Sequence, residues 1–171
     1  MGFGTIISSA IAIALILSAS YVCVQGGIYM VDTLSGSIKE MQDSNNEILR
    51  TDIEIENIST NGVFINAVVR NTGKVKIREF ENMDVIVHYN ASGTMKTIWV
   101  PYLKGTDPAE NSWVVRDITR DAINPGIFDP DEEMEIRIRV NTGEAVLTDS
   151  LNNWIQITTP NGIPSSKYFR S

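Results

Sequence analysis

The sequence contains a single cysteine, Cys23, and a single histidine, His88, among its 171 residues. A disulfide within the chain needs two cysteines, so none can form. A zinc site built from cysteine and histidine needs about four such ligands, and that site is excluded as well. Cys23 lies in an apolar stretch, where we interpret it as a small apolar side chain. We therefore expect neither a bound metal nor a cofactor.

Positive charge is also scarce. The chain has 14 Lys and Arg residues against 21 Asp and Glu residues, a formal net charge of -7 and an isoelectric point near 4.7. Its densest basic group, Lys74, Lys76 and Arg78, lies beside acidic residues. Binding to a phosphate backbone requires clustered Lys and Arg. We therefore expect no nucleic-acid partner.

Charge of either sign is missing before Asp32. The stretch from Phe3 to Val24 is apolar or small, and about 20 such residues cross about 30 Å of hydrocarbon as a helix. A cleaved signal peptide would need a basic segment at its start, but no Lys or Arg precedes Lys39. We predict a retained membrane or filament helix. Its apolar side chains are Phe3, Ile6, Ile7, Ile11, Ile13, Leu15, Ile16, Leu17, Val22 and Val24.

The short segment before this helix has no basic residue, so the positive-inside rule does not assign an orientation. The long polar region after the helix most simply lies outside the cell, which predicts a single-pass protein of the cell membrane. Two sequons agree with this location and make Asn57 and Asn90 candidate N-glycosylation sites.

After the apolar stretch, a helical stalk is predicted to continue to about Leu49. Apolar residues and one asparagine recur there at alternating spacings of three and four, which is an a/d seam. One interpretation is packing against a second copy of the chain, with Asn45 as a buried register residue. The other is an amphipathic face laid on the protein's own domain or on a filament. The seam residues are Val31, Leu34, Ile38, Met41, Asn45 and Ile48.

From Thr51 onward the period changes to two. In four segments, apolar residues alternate with mainly polar ones, as in antiparallel strands that have one face packed on the core. Shorter candidates are TMKTIWVP, WVVRDI and NWIQITTP, and Asn-Gly, Ser-Gly and Asp-Pro pairs separate the segments. About seven short strands predict an immunoglobulin-like β-sandwich over residues 50–171. The fold class is therefore α+β, with a long pilin-like hydrophobic helix and stalk, residues 1–49, before an all-β sandwich.

No catalytic constellation is visible in the sequence, which indicates a non-enzymatic protein. The acidic run Asp129–Glu133 lacks the ligand spacing and glycine of a calcium loop and is typical of a solvated turn before a strand. His88 is predicted to be an exposed strand residue.

We expect the sandwich to carry an interaction surface. An open sandwich has unpaired strand edges, which proteins either block or use for binding. Asp52–Glu54 and Met95–Thr97 carry charges that blunt an edge. The interface is predicted on the strands Trp113–Ile118 or Trp154–Thr158, together with self-association of the sandwich. Its candidate residues are Trp113, Val115, Trp154 and Gln156.

Three motifs accompany this layout of helix, stalk and sandwich: Met1-Gly2-Phe3-Gly4 leading into Ile6–Ile11, the turn Val68–Gly73, and the turn Asp129–Glu133. With them the chain is type IV pilin-like and resembles the archaellum (archaeal flagellum) accessory protein F family, with the sister accessory protein G as an alternative. The resemblance implies an archaeal membrane anchor whose sandwich lies between membrane and surface layer, binds surface-layer protein and contacts other archaellum components. Such a protein would brace the motility motor as a stator-like anchor. The alternative is a polymerising, archaellin-like subunit of a surface filament.

Overall fold

The computed structural model describes residues 3–119, 121, 124–147 and 152–170. One helix is followed by eight strands, and the chain divides into two compact units, Met1–Asn45 and Asn46–Ser171. Short 3₁₀ turns lie at Phe80–Asn82 and Thr142–Glu144. The main elements are α1 (Phe3–Arg50), β1 (Ile53–Thr60), β2 (Phe64–Asn71), β3 (Asp84–Ala91), β4 (Thr94–Val100), β5 (Ser112–Thr119), β6 (Glu133–Arg139), β7 (Trp154–Thr158) and β8 (Pro164–Tyr168).

Helix α1 is continuous over 48 residues and ends one residue beyond the predicted Leu49. It has no proline, which would break it, and its apolar side chains are exposed. The hydroxyls of Ser8, Ser9 and Ser18 each donate to a carbonyl three or four residues earlier, at 2.8–2.9 Å. This is how hydroxyl groups are satisfied where no water is available. Of the helices described, α1 is long and apolar enough to cross a membrane, and an 18-residue window within it has a mean hydropathy of 2.2.

The eight strands form two antiparallel four-stranded sheets, which confirms the predicted sandwich. One sheet has the order β1-β2-β6-β5 and the other β4-β3-β7-β8. The predicted alternation holds in β1, β2, β3 and β6, whose apolar rows are buried. Strand β8 was not predicted, because PSSKY has no apolar alternation; its proline is the first residue of a strand, where proline is tolerated.

The core lies between the two sheets and is built from the inward rows of their strands. Branched side chains dominate it, since they pack well on a pleated surface. Residues with no exposed surface include Ile65, Ala67, Val69, Val85, Val87, Ile136, Ile138, Ile155 and Ile157. This core lies entirely within the unit Asn46–Ser171.

Asn71 is fully buried and closes one end of the sandwich. Its Nδ2 donates to the carbonyl oxygens of Val75, at 2.9 Å, and Phe128, at 3.1 Å, and its Oδ1 accepts from the N–H of Gly73 at 3.1 Å. A Cβ at Gly73 would lie 2.5 Å from the backbone nitrogen of Asp52. Asparagine and glycine are therefore required here for hydrogen bonding and for close approach of the backbone.

The two turns quoted for the family resemblance meet at Asn71. Its N–H donates to the carbonyl of Glu132 at 3.0 Å, and its carbonyl accepts from the N–H of Asp131 at 2.8 Å. The carboxylate of Glu132 accepts from the N–H of Asp129 at 2.8 Å. The acidic run is thus a turn before β6, as expected from the sequence, but it is fastened to the end of β2, and Asp129 and Glu132 are buried where a solvated turn was expected.

Tyr89, on the inner face of β3, provides a prediction about alkaline stability. Its Oη is buried and has no hydrogen-bond partner among the described residues. Burial, and secondarily the negative charge of Glu144, raise the pKa of Tyr89 above its ordinary value of 10.0. As the pH rises above 10, the unfolded chain loses this proton before the folded chain does. The contribution of Tyr89 to the free energy of unfolding is therefore fully present below pH 10 and is lost as the pH rises further.

The substitution Tyr89→Phe is expected to reduce the loss of stability between pH 9 and pH 11. Urea unfolding of the full-length protein at several pH values measures the slope. Tyr168→Phe, which changes an exposed hydroxyl, is the control and should leave the slope as it is. An unchanged slope in Tyr89→Phe would contradict the assignment.

Candidate interaction surface

The two strands predicted to carry the interface occupy different places in the sandwich. β5 is an edge strand, as predicted, but β7 lies between β3 and β8 and is paired on both sides. The prediction of β7 as an open edge is wrong. The reason is strand β8, which pairs with the side of β7 that was expected to be free. The polar sequence of β8 has no apolar alternation, so this strand was not predicted.

Trp113 is a core residue and not an interface residue, which corrects a second prediction. Its side chain has no exposed surface, and its ring lies 4.8 Å from that of Tyr102. The segment after β4 runs beside the start of β5: Trp113 N–H donates to Pro101 O at 3.0 Å, and Leu103 N–H donates to Trp113 O at 2.8 Å. The pairing of β5 with β6 places Trp113 and Val115 on the inward row, opposite the buried Ile138 and Ile136, and Val115 is half-buried against the core.

The outer face of the sheet β4-β3-β7-β8 carries exposed and half-buried aromatic side chains. Its register places Thr97, His88, Trp154 and Tyr168 in one row across all four strands. The adjacent row contains Trp99, Ile86, Gln156 and Ser166. Trp99 is 58% exposed and Tyr168 71% exposed. We call Ile86, His88, Trp99, Trp154 and Tyr168 the aromatic face.

Local contacts hold the aromatic face in one arrangement. The His88 and Trp154 rings are stacked with centroids 5.4 Å apart and an interplanar angle of 19°. His88 Nδ1 lies 2.7 Å from Thr97 Oγ1, and Trp99 Nε1 donates to Asp84 Oδ1 at 2.9 Å. Rigid aromatic side chains with a polar atom already satisfied are typical anchors of protein interfaces, because little entropy is lost when they are covered.

The outer face of the other sheet is charged. Arg70 pairs with Glu56 at 3.6 Å and with Asp131 at 3.7 Å. Arg137 and Arg139 lie over the ring of Phe64, at 5.5 and 5.8 Å from its centroid. Depletion of charge distinguishes the centre of an interface from the remaining surface. The aromatic face is therefore the better candidate of the two.

Sequence reasoning selected Trp154 and Gln156 of this surface and missed Trp99 and Tyr168. Trp154 lies on the face opposite the buried Ile155 and Ile157, as expected. Trp99 could have been found from the same alternation in TMKTIWVP, where it shares the exposed phase of Met95 and Thr97. Tyr168 could not be found without recognising β8.

The other predicted site residues lie on α1 or on the sandwich. The ten apolar residues of the predicted membrane segment and five of the six seam residues are exposed on α1, and Ile48 is half-buried. Asn57 is exposed beside the bulge of β1. Asn90 is half-buried, and its Oδ1 accepts from the N–H of Gly93 at 2.8 Å. Glycosylation stays a prediction, with Asn57 as the more accessible site.

A cleft of about 470 Å³ lies at one end of the sandwich, between the segment Val75–Glu79 and Pro160 and Asn161. Its lining contains Lys76, whose Nζ lies 3.6 Å from Asp129 Oδ1, and has no histidine, cysteine or serine. A nucleophile and base in hydrogen-bond reach are the signature of covalent catalysis. In this cleft the hydroxyl of Thr51 donates to the backbone carbonyl of Glu47 at 2.8 Å and not to a side-chain base.

The fold and surface define a class of protein, namely one apolar N-terminal helix joined to an antiparallel β-sandwich with an aromatic outer face. Within that class, the chain belongs to the family of an uncharacterized protein of Archaeoglobus fulgidus (strain ATCC 49558). The two sequences are 31% identical over 173 positions, which cover 99% of this chain and 96% of the relative. No protein-family model matches the chain.

Several solved structures are similar to the chain. The archaellum periplasmic stator protein FlaG of Sulfolobus acidocaldarius is 25% identical, with a TM-score of 0.47 over 70% of this chain and 99% of that one. The complex of FlaF and FlaG from the same organism gives 24% identity and a TM-score of 0.46, over 68% and 87%. The flagellin FlaB1 of Methanocaldococcus jannaschii gives 11% and 0.49, over 70% and 88%.

Proposed function

We propose that the chain is a non-enzymatic accessory protein of the archaeal motility filament, anchored in the cell membrane by α1. Its sandwich lies between membrane and surface layer, binds surface-layer protein and braces the motor as a stator-like anchor. The observation that carries the proposal is an aromatic, almost uncharged face on a sandwich that follows a helix without charge before Asp32. The family resemblance of the N-terminal segment and of the two turns supplies the archaellum context.

The aromatic face supports a protein partner. Monomeric soluble proteins rarely expose large contiguous apolar patches, and such patches mark interaction sites. Trp and Tyr are enriched among the residues that dominate binding free energy. The face spans four strands, and its hydrogen-bonding side chains, Thr97, Gln156 and Ser166, lie among the rings. A partner can therefore be held by apolar burial and oriented by polar contacts.

A second candidate, a polymerising filament subunit, is favoured by the length of α1. Exposed apolar side chains continue from Phe3 to Met41, whereas about 20 residues cross a bilayer. In a filament this surplus would pack against neighbouring helices. Long regular filaments in electron micrographs of the purified full-length protein would favour this candidate, and dispersed particles favour the anchor.

The test of the anchor is binding of the full-length protein, in detergent, to surface-layer protein isolated from the same organism. We expect binding at tens of micromolar or tighter. The double substitution Trp99→Ala and Trp154→Ala is expected to weaken it at least about tenfold, since alanine substitution at an aromatic anchor costs about 2 kcal/mol or more. Circular dichroism verifies that the variant is folded.

Phe64→Ala, on the charged outer face, is the matched control and should bind as the unchanged protein does. Equal binding by the double variant would show that another surface is used. Absence of binding at tens of micromolar would overturn the anchor and leave the filament subunit.

A further inference from the structure

The outer edge of β4 is unpaired among the described strands, since β3 is its sole strand partner. A two-residue turn joins β3 to β4, with positive φ at Ser92 (53°) and Gly93 (97°). Such a turn closes on a hydrogen-bonded pair, here Ala91 and Thr94. Because bonded and non-bonded pairs alternate along an antiparallel ladder, Met95, Thr97 and Trp99 direct their N–H and C=O groups away from β3.

The contacts of Asn90 agree with this alternation. Asn90 is the register partner of Met95. Its N–H donates to Asn153 Oδ1 at 2.9 Å, and its carbonyl accepts from Leu147 N–H at 2.8 Å. Both groups therefore face the other neighbour of β3, and Met95 keeps its backbone groups at the free edge.

Two other edges are closed by specific contacts. At β1, the N–H of Ile55 donates to Ser165 Oγ at 3.3 Å, and Lys167 Nζ donates to the carbonyls of Ile55 and Glu56 at 3.0 and 2.8 Å. At β5, the segment before Leu103 pairs with the strand start, and a bulge follows Val115. Side-chain caps and bulges are the usual means of protecting an edge. β4 has neither.

The charged residue expected to protect the edge of β4 is Lys96, and its side chain does not lie at that edge. Lys96 is ion-paired with Glu144 and lies on the opposite phase of the strand from Met95, Thr97 and Trp99. The Thr97 hydroxyl contacts His88, and the Trp99 indole is bonded to Asp84. His88 and Asp84 both belong to β3, so these two side chains lean inward over the sheet. The backbone groups of the edge are left accessible.

We propose that β4 is the self-association site, where it pairs with β4 of a second copy, antiparallel and centred on Thr97. This inference goes beyond the proposed function and concerns the self-association of the sandwich that the sequence predicts. A two-fold interface must be self-complementary. With Thr97 opposite itself, Met95 lies opposite Trp99 of the second copy, a favourable sulfur–aromatic pair. About six backbone hydrogen bonds form, two for each of three bonded pairs.

This register also avoids repulsion. Each Lys96 lies opposite Ile98 of the second copy, so no like charges oppose each other along β4. The sheet β4-β3-β7-β8 of one copy and the same sheet of the second copy then form one sheet of eight strands. The aromatic faces of the two copies become continuous. A larger, two-fold surface is thereby presented to the partner protein.

The test is cross-linking of the full-length protein in detergent, with Cys23→Ser as the background. Thr97→Cys places two thiols on a hydrogen-bonded pair with Cα atoms about 5.5 Å apart, inside the range of about 4.4–6.8 Å that a disulfide spans. Mild oxidation is expected to convert most of the variant to a covalent dimer. Ser59→Cys, exposed on the capped strand β1, and Thr119→Cys, exposed on β5, are the controls and should remain monomeric.

A second variant needs no cross-link. Thr97→Lys places two like charges opposite each other and should weaken self-association at least tenfold in sedimentation equilibrium, while Thr119→Lys should not. Cross-linking at residue 59 or 119 in place of 97, or unchanged association of Thr97→Lys, would overturn the pairing. If surface-layer binding persists in that event, the proposed function stands without this interface.

Discussion

Replacing Ile13 and Leu17 by lysine is expected to move the protein from the membrane fraction into the soluble fraction. The two residues lie one helical turn apart near the centre of the uncharged part of α1. A lysine at the centre of a membrane helix costs about 2.5–3.5 kcal/mol on the insertion scale. Two of them therefore oppose insertion by about 5–7 kcal/mol, which the remaining apolar residues do not offset. Fractionation after a carbonate wash measures the outcome.

The matched control places lysine at Gln42 and Asn46, at the same spacing in the polar half of α1. That variant is expected to stay with the membrane, because charges are already present there, for example Lys39 and Asp43. Membrane retention of the Ile13 and Leu17 variant would contradict insertion through this segment. A wholly soluble unchanged protein would do so as well.

Trp113→Ala is expected to lower the free energy of unfolding by about 3–5 kcal/mol, the range for removing a large aromatic side chain from a core. The indole has no exposed surface and packs against Tyr102. Trp113→Phe should cost less, because the indole Nε1 has no hydrogen-bond acceptor among the described residues. Urea unfolding of the full-length protein, followed by circular dichroism, gives the free energies.

Trp99→Ala is the control for this measurement. Its indole is 58% exposed, and its bond to Asp84 lies at the surface. A loss within about 1 kcal/mol is expected, as for most surface substitutions. If Trp113→Ala were as mild as Trp99→Ala, its placement in the core would be wrong, and the original expectation of an interface at β5 would be restored.

The contrast between these tryptophans illustrates how an interaction surface arises on a sandwich. Trp99 and Trp154 belong to different strands, β4 and β7, with β3 between them. Their proximity follows from strand order, and strand order is a property of long-range pairing. The sequence places each tryptophan on a face of its own strand but does not bring the faces together.

The sequence by itself determined the features that depend on local chemistry. Absence of charge before Asp32 predicts the apolar helix, and its end was predicted to within one residue of Arg50. Period-two alternation predicts the inward rows of β1, β2, β3 and β6, since successive strand residues point to opposite faces. The asparagine and glycine of the turn after β2 are readable as turn residues, although their contacts are not.

Tertiary structure alone decided which strands are edges and which tryptophans lie at the surface. Trp113 is buried because the pairing of β5 with β6 places it opposite Ile138 on the inward row, and β7 is interior because the polar strand β8 pairs with its other side. Neither pairing can be inferred from the local alternation of apolar and polar residues. Backbone hydrogen bonds between distant segments are indifferent to side-chain type, so a strand such as PSSKY can join a sheet with no hydrophobic pattern of its own.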